Sequence, residues 1–212
     1  MKTLFFKTCP IFSSILVLLC ILLTITKNKY RTKGITIMFS FLLLCLYTHR
    51  VPENLKTENN PKLITSPAFG KIVEIGEIGT FTRICIFLNL DDVHVQYMPT
   101  DGLITKKEYK QGEFNPANLI EKGESNERLE TYISPSYNND STIIVNQIAG
   151  MLARTIIHFK NEGYYGKKGD LIGIIQFGSR VDLYIPTIDI NKILVNIDDV
   201  VKGPETPMVT IK

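Results

Sequence analysis

A glycine–serine pair, Gly178-Ser179, lies between two segments whose residue types favour β-strands. Leu171–Ile175 and Val181–Ile185 are rich in β-branched residues, so the pair is predicted at a sharp turn where two strands meet. Glycine has no Cβ and tolerates unusual backbone angles, which lets the following hydroxyl approach the preceding carbonyl carbon. That geometry suits an N-to-O acyl shift and self-cleavage of the backbone, whereas composition alone favours an ordinary β-turn.

His94 is the best candidate for proton transfer. It follows Asp92 and lies in the alternating segment Val93–Tyr97, so its side chain can emerge on one face while the two valines pack on the other. A neutral imidazole is suited to moving protons at physiological pH. The alternative is a strand histidine that is merely hydrogen-bonded. The other two histidines are interpreted as interfacial (His49) and structural (His158).

Four further segments, taken in this order, resemble the short form of the phosphatidylserine decarboxylase family. They are Leu90–Pro99, Asn126–Arg128, Gln147–Arg154 and Phe177–Asp182. The resemblance extends from about Tyr47 to about Pro186 and begins with Tyr47–Glu53, which is similar to the family's aromatic-x-Arg-x-Pro-Glu motif. Four motifs in one order are specific, although any one of them alone would be weak.

The resemblance implies a mechanism. Ser179 attacks the Gly178 carbonyl, the resulting ester undergoes β-elimination, and a pyruvoyl group derived from Ser179 remains at the new N-terminus. This ketone is the cofactor that accepts electrons while phosphatidylserine loses CO2 and becomes phosphatidylethanolamine. The implied catalytic residues are Gly178, Ser179, His94 and Asp92, without a metal. The two cleavage products are expected to stay associated.

One departure from the family pattern concerns the self-cleavage step. The family usually carries Ser-Pro-Ala-Asp-Gly, whereas this chain has phenylalanine, Phe69, where that aspartate stands. A phenyl ring cannot orient an imidazole or accept a proton, so another acid substitutes or processing is slow or absent. The candidate acids are Asp91, Asp92 and Asp101. The second hypothesis is therefore a catalytically impaired or unprocessed relative that acts as a lipid-binding or scaffold protein. Tyr97, where longer members have a second histidine, is a lesser departure.

The N-terminal 50 residues are predicted to form a membrane hairpin. Two apolar stretches, Ile11–Thr26 and Ile35–Tyr47, flank the basic segment Lys27–Lys33. Each is shorter than the roughly 20 residues of a full span, so tilted helices and a re-entrant pair are both open. The two alternatives place the remainder of the chain on opposite sides, and a signal peptide is a competing interpretation of the first stretch. The predicted location is the membrane, with its side undetermined.

The rest of the chain reads as a linker, residues 51–62, and a mainly β domain, residues 63–212. We expect an antiparallel β-barrel or sandwich of lipoyl-like type with a duplicated hybrid motif. The predicted strands are 71–75, 80–88, 93–97, 142–145, 155–159, 171–175 and 181–185. Glu108–Arg128 has no strand period and is interpreted as either a loop over the site or a poorly packed excursion.

Composition and residue spacing argue against several other classes of protein. The formal net charge of +3 is too small to indicate a nucleic-acid-binding protein. The family resemblance implies phosphatidylserine and membrane lipid as the partners. The four cysteines form no Cys-x-x-Cys pair and suggest no disulfide framework. Three scattered histidines disfavour a zinc peptidase, and Lys167-Lys168 lacks the Met-Lys setting of a lipoyl or biotin carrier. An oligomer is not excluded.

Overall fold

The computed structural model describes residues 2–3, 10–25, 31–151, 156–175 and 178–212. The chain forms two compact units, residues 1–53 and 54–212. In the first unit, two helices contact each other and two short strands pair antiparallel. These elements are β1 (Lys2–Thr3), α1 (Pro10–Ile25), α2 (Arg31–Thr48) and β2 (Arg50–Val51).

Both helices of the first unit expose large apolar side chains. Leu18 on α1 and Ile37 on α2 are 56% and 69% exposed, and several leucines and phenylalanines beside them are similarly open. Over the described ranges, none of the helices has the combination of length and apolar character that a bilayer crossing requires. The helical elements are thus present in the two apolar stretches, and their membrane location stays a prediction.

The second unit is built mainly from antiparallel strands, which confirms the coarse fold prediction; the lipoyl-like type stays a prediction. The strands are β3 (Leu63–Thr65), β4 (Gly70–Ile78), β5 (Phe81–Leu88), β6 (Val95–Tyr97), β7 (Gly102–Lys110), β8 (Arg128–Pro135), β9 (Ile143–Ile148), β10 (Ile156–His158), β11 (Tyr165–Gly166), β12 (Leu171–Ile175), β13 (Ser179–Pro186), β14 (Ile190–Ile193), β15 (Val200–Val201) and β16 (Pro207–Ile211). The largest sheet has the strand order β11-β7-β8-β9-β13-β5-β4-β15, and two three-stranded sheets have the orders β10-β12-β6 and β14-β16-β3.

Strand β13 lies in the middle of the large sheet. It pairs with β5 along its whole length, from Ser179 opposite Leu88 to Pro186 opposite Phe81, and with β9 on its other side. Its side chains Val181, Leu183 and Ile185 are fully buried in the hydrophobic core. Ser179, the first residue of this strand, is therefore placed by a long, doubly paired ladder rather than by a mobile loop.

Two regions differ from the sequence expectation. Strands β7 and β8 occupy both ends of Glu108–Arg128, and the intervening residues contain the short helix α3 (Ile120–Gly123). Ala117 and Asn126 in this segment are buried, which argues against the poorly packed alternative, and the position of the loop over the site stays a prediction. Residues in the predicted linker are hydrogen-bonded within the second unit, because Lys168 Nζ donates to the carbonyls of Glu58 and Asn60.

Candidate active site

Gly178 adopts a left-handed backbone conformation immediately before β13. Its φ is +67°, a region that favours glycine, as expected for a residue that must turn the chain into the strand. The two residues before it, Gln176 and Phe177, lie outside the described residues. Ser179 is completely buried, and its Oγ has no hydrogen-bond partner among the residues that the structure describes. A buried hydroxyl without a partner is costly to stability and is typical of a group kept for chemistry.

His94 reaches the backbone of Gly178. The backbone N–H of Gly178 donates to Nε2 of His94 at 3.2 Å, and Nδ1 of His94 lies 2.9 Å from the backbone carbonyl oxygen of Asp92. A carbonyl can only accept, so Nδ1 carries the proton, and the electron pair of Nε2 accepts the Gly178 N–H. The structure thus brings the predicted residues His94, Gly178 and Ser179 together, with the imidazole in the tautomer of a base directed at the Gly178–Ser179 segment.

Hydrogen bonds also fix the backbone at His94. Its carbonyl oxygen accepts from Nε2 of Gln96 at 2.7 Å and from the N–H of Ile175 at 3.1 Å. Nε2 of Gln147 then donates to Oε1 of Gln96 at 2.8 Å. Both glutamines are fully buried. They are positioning residues that sequence analysis did not assign, and the only signal for them was a polar residue in an otherwise apolar strand.

The three candidate aspartates lie in different settings. Asp92 contributes its backbone carbonyl to His94, and its carboxylate accepts from the N–H of Asn89 at 2.7 Å. Asp101 accepts from the backbone N–H of Lys168 at 2.7 Å and from Nζ of Lys167 at 3.2 Å. Partial burial would raise the pKa of Asp101, but these two donors outweigh burial and hold it below its ordinary value. Asp101 therefore serves the turn before β12, while Asp91 is exposed.

Phe69 and Tyr97, the two departures from the family pattern, lie side by side. Their ring centroids are 6.2 Å apart and the rings are tilted by 59°. Tyr97 is buried and its hydroxyl has no hydrogen-bond partner within the described part of the chain. Burial raises the pKa of Tyr97 well above its ordinary value, so this phenol stays protonated. An aromatic pair therefore occupies the place where the family pattern leads one to expect an acid.

The residue after Ser179 is anchored deep in the protein. Arg180 forms a bidentate ion pair with Asp182, with nitrogen–oxygen distances of 2.8 and 2.9 Å, and both side chains are fully buried. The same guanidinium lies 3.2 Å from Oε1 of Glu124, in the loop between β7 and β8. Such charge-assisted pairs are geometrically specific. They hold the strand that begins at Ser179 in register and attach the loop to it.

Comparison with known proteins identifies the family of the chain. The family model for phosphatidylserine decarboxylase matches residues 41–208. The chain is 43% identical over 151 residues to a phosphatidylserine decarboxylase proenzyme of Ehrlichia chaffeensis, which covers 68% of this chain and 66% of that protein. A proenzyme of the same name from Syntrophus aciditrophicus is 36% identical over 175 residues, covering 79% and 80%. A third, from Wolbachia pipientis, is 38% identical over 164 residues, covering 72% and 70%. The chain belongs to the phosphatidylserine decarboxylase family.

Proposed function

We propose that this chain is a phosphatidylserine decarboxylase that activates itself by cleavage between Gly178 and Ser179 and then converts phosphatidylserine to phosphatidylethanolamine and CO2. The observation that carries the proposal is the hydrogen bond from Gly178 N–H to Nε2 of His94, beside a buried Ser179 hydroxyl without a partner among the described residues. A base at Gly178 and a nucleophile on the adjacent residue Ser179 are the minimum that self-cleavage requires.

Self-cleavage proceeds in two stages. In the first, Ser179 Oγ bonds to the carbonyl carbon of Gly178, the carbon–nitrogen bond breaks, and the hydroxyl proton passes through His94 to the freed nitrogen of Ser179. In the second, the Cα proton of residue 179 is removed and the Cβ–Oγ bond breaks, so Gly178 leaves as a carboxylate. Water then replaces the nitrogen, ammonia departs, and a ketone remains at residue 179.

The site fits a pyruvoyl group by its donor set. Ser179 supplies the three carbons, its Oγ is not committed to another residue within the described part of the chain, and Gly178 provides the turn that exposes the peptide bond to attack. When present, this ketone supplies an electron sink for the carbanion left by loss of CO2. The role of His94 is to hold and return a proton beside residue 179, and the complete burial of both residues excludes water from that transfer.

The sheet topology supports a stable two-chain product. The fragment that starts at Ser179 contributes β13 to the centre of the large sheet, where it is paired on both sides. It also contributes β15, which pairs with β4, and β16, which pairs with β3. Cutting one peptide bond leaves all these ladders intact, so the two fragments stay associated.

Intact mass is the first test. The wild-type protein should yield residues 1–178 and residues 179–212 with a carbonyl-reactive N-terminus, and Ser179→Ala should remain whole. The substitution removes a hydroxyl that has no partner among the described residues, so the variant is expected to fold as the wild type does. CO2 release from phosphatidylserine should appear only in the split protein. Splitting of Ser179→Ala would identify ordinary proteolysis and overturn the proposal.

A second candidate function has one observation in its favour. The aromatic pair of Phe69 and Tyr97 stands where the family's acid is expected, and this could leave a membrane lipid-binding or scaffold protein that never splits. The same mass measurement separates the two functions, because a wild-type chain that stays whole after prolonged incubation would favour the second. The retained His94–Gly178 contact favours the first.

The location that we propose is a membrane surface, contacted by α1 and α2. The support is the row of exposed apolar side chains on both helices. Each methylene group that enters the bilayer contributes about 0.8 kcal/mol to membrane binding. The double variant Leu18→Lys, Ile37→Lys should bind vesicles of anionic phospholipid at least about tenfold more weakly. Lysines at Ile188 and Val200, which are 77% and 73% exposed in the second unit, are the matched control and should change binding little. Equal losses in the two double variants would contradict the proposal.

A further inference from the structure

Gly150 lies against the carbonyl group that self-cleavage attacks. A Cβ placed on Gly150 would overlap the carbonyl oxygen of Gly178 and lie 3.0 Å from its carbonyl carbon. The oxygen therefore occupies the space that any side chain at position 150 would fill, in contact with the glycine Cα. The backbone of Gly150 is not in the left-handed region, so the requirement for glycine here concerns space and not conformation.

The segment that carries Gly150 is fixed by Asn126, which is 1% exposed. Nδ2 of Asn126 donates to the carbonyl oxygens of Ala149 and Asn115, each at 2.8 Å, and Oδ1 accepts from the N–H of Asn115 at 2.8 Å. Each polar atom of the amide thus has its partner. The N–H of Ala149 also donates to the carbonyl of Glu127 at 2.9 Å, so Ala149 is held on both its polar groups.

The backbone of Gly178 is consequently held on both sides of its Cα. His94 accepts the N–H of Gly178, which belongs to the peptide unit before this residue, and Gly150 limits the position of the Gly178 carbonyl oxygen, which belongs to the peptide unit that is cleaved. The carbonyl must present one face to Ser179 Oγ, and an error of about 1 Å in such an arrangement can cost about 100-fold in rate. The contact between Gly150 and the Gly178 carbonyl oxygen also limits rotation of this carbonyl away from the attacking hydroxyl.

We infer that Gly150 and Asn126 are positioning residues for the first step of self-cleavage, in which Ser179 Oγ bonds to the Gly178 carbon and the carbon–nitrogen bond breaks. This inference rests on the proposed function. Gly150 provides the space that the carbonyl oxygen needs, and Asn126 holds Gly150 in place through Ala149. Neither Gly150 nor Asn126 exchanges a proton or an electron pair with the reacting atoms.

The test compares splitting rates of full-length variants by intact mass. Gly150→Ala should split at least about 100-fold more slowly than the wild type, because the new methyl group displaces the carbonyl. Gly102→Ala is the control: a Cβ there would also overlap a backbone carbonyl oxygen, that of Ser134, less closely than at Gly150, and would lie 3.0 Å from Ile133 Cγ2 in β8. If the loss reflected general destabilisation, both variants would slow alike, and the inference would be overturned.

Hydroxylamine identifies the step affected. It cleaves the ester formed by the acyl shift and leaves a hydroxamate on residues 1–178, so the yield of that fragment reports the first step. Gly150→Ala and Asn126→Ala should lower the yield about 100-fold and about tenfold, respectively. A raised yield would mean that the ester forms and its elimination is impaired, which contradicts the inference.

Asn126→Asp provides a measurement that survives if Gly150→Ala fails to fold. A carboxylate at position 126 would face two carbonyl oxygens and repel both, whereas a protonated carboxyl can donate to one of them. The splitting rate of Asn126→Asp relative to that of the wild type should therefore rise as the pH is lowered from 8 to 6, because more of the new carboxyl is protonated. Parallel pH profiles would overturn the inference. A wild type that never splits overturns both the proposed function and this inference, whereas a Gly150→Ala variant that splits normally overturns only the latter.

Discussion

His94, which is fully buried, and His158, which is partly buried, have similar contacts at Nδ1 and different partners at Nε2. Each places Nδ1 on a backbone carbonyl two residues away, His94 on Asp92 at 2.9 Å and His158 on Lys160 at 2.7 Å. Both lie beside β12, because His158 is opposite Gly173 and the carbonyl of His94 accepts from Ile175. At Nε2 they differ: His94 accepts the N–H of Gly178, and His158 faces Thr131 Oγ1 at 3.2 Å.

The difference shows that a backbone carbonyl at Nδ1 does not by itself make a histidine functional. Both residues have that contact, yet only Nε2 of His94 lies on the backbone of Gly178, beside the serine hydroxyl that is proposed to attack the Gly178 carbonyl. With phenylalanine at position 69, the carbonyl at Nδ1 would fix the tautomer of His94, which is one of the two tasks of a triad acid. The other task, stabilising the imidazolium by charge, is not performed by a neutral carbonyl.

The largest expected effect on the splitting rate distinguishes the two histidines when each is replaced by glutamine. His94→Gln can still accept the Gly178 N–H but cannot carry a proton, so splitting should slow by about 10²–10⁴-fold, the usual contribution of a general base. His158→Gln should split within a few-fold of the wild type. The measurement is the time course of intact mass. Equal rates for His94→Gln and wild type would remove His94 from the mechanism.

The sequence predicts the strands of the centre of the fold well because their apolar side chains carry the signal. Most of β4, β5, β12 and β13 follows from runs of β-branched residues, and their observed bounds lie close to the predicted ones. Strands β7 and β8 are not among the predicted strands, and residues 106–110 of β7 are mostly charged and exposed or partly exposed. Local propensity does not report a strand that is stabilised by its neighbour rather than by burial.

The main residues of the site could be predicted from the sequence, but their contacts could not. Gly178, Ser179 and His94 were found through residue type and the family resemblance, but the contacts at Gly150 and Asn126 depend on distances across the sheet. Asp92 was predicted as a catalytic carboxylate, and the structure places its backbone carbonyl on His94 and its carboxylate on Asn89. Residue type gives no information about which atom of a residue will be used. That depends on the turn which the chain makes before β6.

Introducing an acid at position 69 should have an intermediate effect on the splitting rate. Phe69→Asp should accelerate splitting up to about tenfold, equivalent to about 1.4 kcal/mol, because a carboxylate would stabilise the imidazolium that the backbone carbonyl of Asp92 cannot. Rates should be compared by intact mass at pH 7.

The control for this variant is a second aromatic pair. Phe81 and Tyr184 have ring centroids 6.4 Å apart, at the end of β5 and β13 far from Ser179. Phe81→Asp removes a ring from a similar environment without adding charge near the site. Equal slowing in both variants would mean that Phe69 matters only for packing, and that the mechanism does not use an acid at this position.

The smallest expected effect concerns the stability contributed by His158. Burial lowers the pKa of His158 to about 4, against 6.5 for an exposed imidazole. The folded state therefore favours the neutral ring, and the stabilisation is complete above pH 6.5. It is lost as the pH falls from about 6.5 towards 4, because the unfolded chain takes up a proton that the folded chain resists. Since His158 is partly exposed, the loss should be only roughly 1–2 kcal/mol. Urea unfolding at pH 7 and pH 4.5, in the unsplit Ser179→Ala background, should show a smaller decrease for His158→Gln than for its parent. Identical decreases would show that burial does not hold this ring neutral in the folded protein.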